Sequence, residues 1–177
     1  QAVERAVAKG LKVIVSAGNF GTNPQTGEVG YAGITSPGNA PSAVTVGSAL
    51  WKQTIGRADD RMAPFSSRGP TWYDAYAKPD VVAPGESLLS ERVPGSTLDT
   101  QDQCLHGRST SPYLSLTGTS MSTGIVSGVV ALTLQAQRRL TSHTVKAILE
   151  YTAIPLADDA GEKYDPLTQG TGEVNAG

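Results

Sequence analysis

Apolar residues in this chain fall into short β-branched runs and longer stretches of helical rhythm, separated by turns rich in glycine and proline. Ala2, Val3, Ala6 and Val7 share one face of a helix that ends near Lys9-Gly10, where glycine suits the C-terminal position. Lys12-Val13-Ile14-Val15-Ser16-Ala17 then reads as a buried parallel strand, and Gly18-Asn19-Phe20-Gly21 breaks it. Helix, strand and glycine turn in that order predict an α/β fold, in which ligands sit beyond the carboxyl ends of the strands. Residues 43–48 and 81–83 read as further strands. Residues 22–39, with Pro24, Gly27, Gly30, Gly33, Pro37 and Gly38, are too broken for a regular element. Residues 86–115 show no period and read as a long irregular loop on the surface or the substrate side. A last helix starts at the Thr141-Ser142 cap, with Val145, Ile148 and Leu149 on one face.

The longest apolar stretch runs from about Leu116 to Leu134 and opens on Thr117-Gly118-Thr119-Ser120. Its length suits a helix, and Arg138 and Arg139 suit the negative end of its dipole. It is apolar nearly all round, which predicts a buried helix, and Gly124 and Gly128 would let another backbone approach one face. Ser120 sits where a turn feeds this helix, beside free backbone N–H groups. A serine there is a helix cap or a nucleophile. Asn19 is open in the same way: a turn residue, or an amide donor pointing into a crevice.

The chain's 177 residues are one domain's worth or part of a larger one, with a formal charge of −2 and no charge block to suggest nucleic acid. No signal peptide and no uninterrupted apolar run of membrane-spanning length stand out. Cys104 is alone, so it closes no internal disulfide and belongs to no metal-binding pattern. The opening helical rhythm has no cap before it, and Ala176-Gly177 directly follows a strand-like segment. Residues 1–177 therefore read as a single partial domain.

Gly118-Thr119-Ser120-Met121 resembles the nucleophile motif of the subtilisin-like serine proteases, the subtilases, and the helix after it resembles theirs. Ser16-Ala17-Gly18-Asn19 is similar to the strand end whose Asn contributes to that family's oxyanion hole. Phe65-Ser66-Ser67-Arg68-Gly69-Pro70, Lys78-Pro79-Asp80-Val81-Val82-Ala83-Pro84-Gly85 and Gly170-Thr171-Gly172-Glu173-Val174-Asn175-Ala176 extend the likeness from residue 1 to 176, across the second half of a subtilase catalytic domain. One departure is Gly124, four residues after Ser120, where many members have proline.

The resemblance implies a three-layer α/β fold with a parallel sheet flanked by helices, of which this chain is the C-terminal portion. It implies a serine endopeptidase working through an acyl-enzyme, with Ser120 as nucleophile, Asn19 as oxyanion donor, and the Ser120 backbone N–H as second donor. Ser16, Ala17, Gly18, Gly33 and Thr119 are the expected substrate-binding residues. The chemistry needs no cofactor, and residues 22–39 hold no cluster of acidic ligands; a structural calcium ion, bound by backbone carbonyls as in some members, is implied by resemblance alone. The implied partners are a peptide or protein substrate and an N-terminal half of the same domain, with neither nucleic acid nor membrane. The implied location is extracellular.

A serine protease also needs a histidine base and an aspartate to orient it. The only histidines are His106 and His143. His106 is followed by Gly107-Arg108-Ser109 rather than the family's histidine motif, and it falls after Asn19 in the chain, while the family order is Asp, His, Ser. The base and its orienter are therefore expected upstream, and the isolated chain is expected to be inactive. Three readings compete. A nucleotide-binding module lacks a full G-x-G-x-x-G at Gly18 and Gly21, an α/β-hydrolase lacks the second glycine of G-x-S-x-G, and a non-catalytic relative would only bind peptides.

Overall fold

The sheet is built on β2 (Val44–Leu50), every residue of which is buried except Leu50. β1 (Ile14–Ser16) and β4 (Val81–Pro84) flank it, both parallel to it, with Ile14 opposite Val44 and Val81 opposite Val46. The two-residue β3 (Arg61–Met62) pairs antiparallel with the end of β2. The structure, a computed structural model, describes residues 1–107 and 109–176. Arg108, beside His106, and the final Gly177 lie outside the described residues.

Alternation along the strands sorts the core. Val44, Val46, Val81 and Ala83 face one way and pack with Val126, Val130, Val145 and Leu149. That places α3 (Thr119–Ala136) and α4 (Ser142–Thr152) on one face of the sheet. Ala49 and Val82 face the other way, with Met62, Leu156 and Tyr164. The result is the α/β architecture with a parallel sheet that the residue pattern predicts. α1 (Ala2–Ala8) precedes β1 and buries none of its residues. A short α5 (Pro166–Gln169), capped by Asp165, precedes the closing segment.

Two expectations need correction. α3 is not buried all round: its buried residues are Thr119, Ser122, Val126 and Val130, a single stripe at helical spacing, while Leu132 is 61% exposed. No backbone lies against Gly124 or Gly128 among the described residues. The helix meets the sheet along one face only, and composition does not say which faces are covered. Nor are residues 86–115 an irregular loop. β5 (Leu88–Glu91) and β6 (Tyr113–Leu116) form an antiparallel hairpin carrying α2 (Thr97–His106). The Ser96 hydroxyl caps α2 by accepting from Asp99 N. Arg92 then clamps the helix to the hairpin, donating to Asp99 at 2.6 Å and Asp102 at 2.7 Å. Hydrogen bonds from Gln103, the Gly95 backbone and Arg92 hold the Asp99 carboxyl down to about 2.

Glu173 ties the closing segment to the sheet, bridging Val82 and Ile154. Its side chain is buried, and Oε2 has no hydrogen-bond partner among the described residues. Burial first, then the neighbouring Asp60 carboxyl, push its pKa from the ordinary 4.5 up to about 7, against the pull of Arg57. Between those values the folded chain holds a proton that the unfolded chain has released, so stability falls as pH rises through that window, by up to about 3 kcal/mol. Glu173→Gln should remove this slope. Its unfolding midpoint should gain on wild type between pH 5 and 8, and an unchanged difference across that range would contradict the raised pKa of Glu173.

Candidate active site

The carboxyl end of β1 and the start of α3 meet at one edge of the sheet. Gly118 is the N-cap of α3, with φ 152 and ψ 164, a backbone region essentially reserved for glycine. Having no side chain, it cannot cap the helix, and Ser120 lies inside the first turn rather than at the cap position. The capping role open to Ser120 in the sequence is therefore not the one it plays. Ser120 is exposed, and its hydroxyl makes no hydrogen bond among the described residues. Its backbone N–H, one of the donors a helix start leaves over, meets no carbonyl among them either.

Asn19 reaches this turn from β1. Its Oδ1 accepts from both Thr119 N and Thr119 Oγ1, each at 3.0 Å. A backbone N–H can only donate, so the amide end it meets must be the oxygen, which fixes Nδ2 on the other side. That nitrogen lies over the open face of Gly118: a Cβ there would stand 3.2 Å from it. Asn19 Nδ2 and the Ser120 N–H thus share one end of α3 as uncommitted donors, next to an uncommitted hydroxyl.

The turn is anchored from a second side. Gly118 N donates to Gly85 O at 2.8 Å, just past the end of β4. A side chain on Gly85 would collide with Ser48 Oγ, Ser122 Oγ and Gly118 O. The strand end therefore approaches α3 as closely as only glycine permits. The sequence carried no sign of this contact beyond Pro84-Gly85 itself.

The other predicted site residues divide. Ser16 and Gly18 are half-buried at the strand end, and Gly33 is half-buried beside Phe20 in an apolar cavity of about 430 Å³ walled by Trp72 and Tyr73. The other two turn their side chains inward. Ala17 is fully buried, its N–H donating to Val46 O, and Thr119 is 1% exposed. The Thr119 hydroxyl is used internally, accepting from Gly18 N at 3.2 Å and donating to Asn19. The Thr119 side chain positions the amide. His106 closes α2, its Nδ1 2.9 Å from Asp102 Oδ1, and His143 lies exposed in the first turn of α4. Neither ring is hydrogen-bonded to Ser120 among the described residues.

No group of three or more His, Cys, Asp or Glu side chains is arranged to hold a metal ion among the described residues. Glu28, the sole acid of residues 22–39, is engaged with Thr26 Oγ1 at 3.3 Å, so that loop offers no carboxylate cage for calcium. No helix among the described residues is long and apolar enough to cross a membrane.

Comparison with known proteins places the chain in a family. A family model described as the subtilase family matches residues 1–172. Serine protease AprX of Bacillus subtilis is 40% identical over 176 residues, covering 99% of this chain and 36% of that protein. The minor extracellular protease Vpr of the same species is 35% identical over 126 residues, covering 70% of this chain and 14% of Vpr. Among solved structures, the S41 psychrophilic protease superposes with a TM-score of 0.71 at 25% identity, covering 98% of this chain and 50% of that one. The chain thus spans about a third of AprX and half of the psychrophilic protease.

Proposed function

The chain belongs to the subtilase family, and from that premise we propose that it is the C-terminal half of the catalytic domain of a serine endopeptidase whose nucleophile is Ser120. The observation that carries this is the Asn19 amide. Its oxygen is pinned to Thr119, so its Nδ2 stands free beside the unpaired Ser120 N–H and hydroxyl.

Those groups perform the acyl-transfer steps. The Ser120 Oγ attacks a peptide carbonyl carbon, giving up its proton to a histidine base, while the carbonyl π electrons move onto oxygen. Asn19 Nδ2 and Ser120 N–H hydrogen-bond that oxyanion, which is more negative than the ground-state carbonyl, so they favour the transition state over the substrate. Collapse expels the amine, which takes the proton from the base, and leaves the acyl group on Ser120. Water then repeats the sequence and frees the acid.

His106 and His143 are not joined to Ser120, so the base and its orienting aspartate are assigned to the rest of the longer protein. That other half would cover the bare side of α3, including Gly124, Gly128 and Leu132. Residues 1–177 alone would then lack turnover. The extracellular relative supports a working place outside the cell.

A fluorophosphonate probe tests the assignment. Incubated with the full-length parent, it should form one adduct, located on Ser120 by peptide mass spectrometry. An adduct on another serine would reject the nucleophile. Binding of peptides without any adduct would identify a non-catalytic peptide-binding relative.

A further inference from the structure

A cavity of about 920 Å³ opens beside Asn19 and shares Phe20 with the Trp72–Tyr73 cavity. Phe20, Leu50, Pro64 and Phe65 make its lining largely apolar. Among the residues that line it, Glu86 alone carries a charge. Its position relative to the site follows from two hydrogen bonds. Asn19 holds Thr119 on one side of the nucleophile turn, and Gly85, the neighbour of Glu86, holds Gly118 on the other. Asn19 and Glu86 thus both belong to the cavity wall and adjoin the two anchors of the segment that bears Ser120.

We infer that this cavity receives the side chain of a substrate residue next to the scissile bond, and that Glu86 selects lysine or arginine there. The inference rests on the endopeptidase reading above. A carbonyl poised between Asn19 Nδ2 and Ser120 N–H brings one flank of the peptide across the cavity mouth. A bare carboxylate over an apolar floor matches a long basic side chain, whose methylene stem covers Phe65, Pro64 and Leu50 while its cationic head meets Glu86. A purely aliphatic side chain would fill the floor and leave Glu86 unpaired. An acidic one would place like charges together.

The test uses the full-length parent and internally quenched peptides carrying lysine, norleucine or glutamate at each position flanking the cut. Norleucine shares the lysine stem and lacks its charge. At one flanking position, lysine should exceed norleucine in kcat/KM by about three- to tenfold, with glutamate lowest, and added salt should narrow the gap. Glu86→Gln should bring the lysine-to-norleucine ratio to about one, and Glu86→Lys should invert the order. Fluorophosphonate labelling of Ser120 in each variant reports that it has folded. If lysine holds no advantage at any position, or keeps it in Glu86→Gln, the selection by Glu86 is wrong while the peptidase reading survives. If the parent neither cuts peptides nor is labelled at Ser120, the reading itself fails and this inference falls with it.

Discussion

Ser120→Ala in the full-length parent is expected to lower kcat for peptide hydrolysis by about 10⁶, the magnitude known for loss of the nucleophile in subtilisin itself, with KM changed only a few-fold. The substitution removes one oxygen from an exposed position that makes no internal hydrogen bond, so the fold has little to lose. Asn19 should answer differently. Asn19→Ala is expected to cost roughly 10²–10³ in kcat, again the scale known from subtilisin. Asn19→Asp separates the two jobs of the side chain. It keeps an oxygen for Thr119 N and Oγ1, and so keeps the turn in place. It replaces the free Nδ2 donor with an oxygen, which repels a developing oxyanion. If Asn19 acts as donor, Asn19→Asp loses at least as much kcat as Asn19→Ala at nearly unchanged KM. If Asn19 merely braces the turn, Asn19→Asp stays close to wild type, and the oxyanion assignment is lost.

What could be read from the sequence follows from how local each signal was. β1, β2 and β4 are β-branched runs in a parallel sheet, β1 half-buried and the other two largely buried, and α4 carries a local cap at Thr141 and a one-sided apolar stripe. These were legible because burial and pattern coincide. The β5–β6 hairpin was not, because apolar residues stand on both its faces: Leu114 is buried and Leu88 and Leu116 half-buried on one, while Leu89 is 73% and Tyr113 55% exposed on the other, which blurs the alternation. A signal for α2 did exist in Ser96 and Asp99, three residues apart, a hydroxyl-and-acid helix start. What completes it, the clamp from Arg92, lies on another element. At the site, the motifs singled out Asn19 and Ser120 as residues but were silent on which amide atom faces which way. That depends on the burial of Thr119, which in sequence looked like one more small hydroxyl residue near the substrate. The same holds for Lys78-Pro79-Asp80, which in sequence only extended the family likeness. Its meaning depends on Lys146, far along the chain.

Asp80→Ala is the substitution expected to cost most in stability, about 3–5 kcal/mol, since it strips the counter-charge from a buried ammonium. Lys78 is 1% exposed, the largest side chain buried so completely, and its Nζ lies 2.7 Å from Asp80 Oδ2 and 3.0 Å from Ala43 O. Lys146 reaches the other oxygen of Asp80 at 2.9 Å and shares the Ala43 carbonyl at 3.2 Å. Asp80 also accepts from Thr45 N at 2.7 Å, so one carboxylate joins β2, the start of β4 and α4. Burial pulls the Lys78 ammonium down to about 8 even with Asp80 beside it. Without Asp80 it should lose its proton at lower pH still. A lysine whose folded pKa lies below its unfolded value binds fewer protons when folded, so stability rises with pH across the interval between the two. Asp80→Ala should therefore be weakest near pH 7 and recover toward pH 9. Adding Lys78→Met should restore much of the loss at pH 7, because an apolar side chain of similar length needs no partner. These variants belong in the full-length parent, followed by urea unfolding at both pH values. If the two substitutions simply add, or if Asp80→Ala is as stable as wild type at pH 7, the carboxylate is not what holds these three elements together.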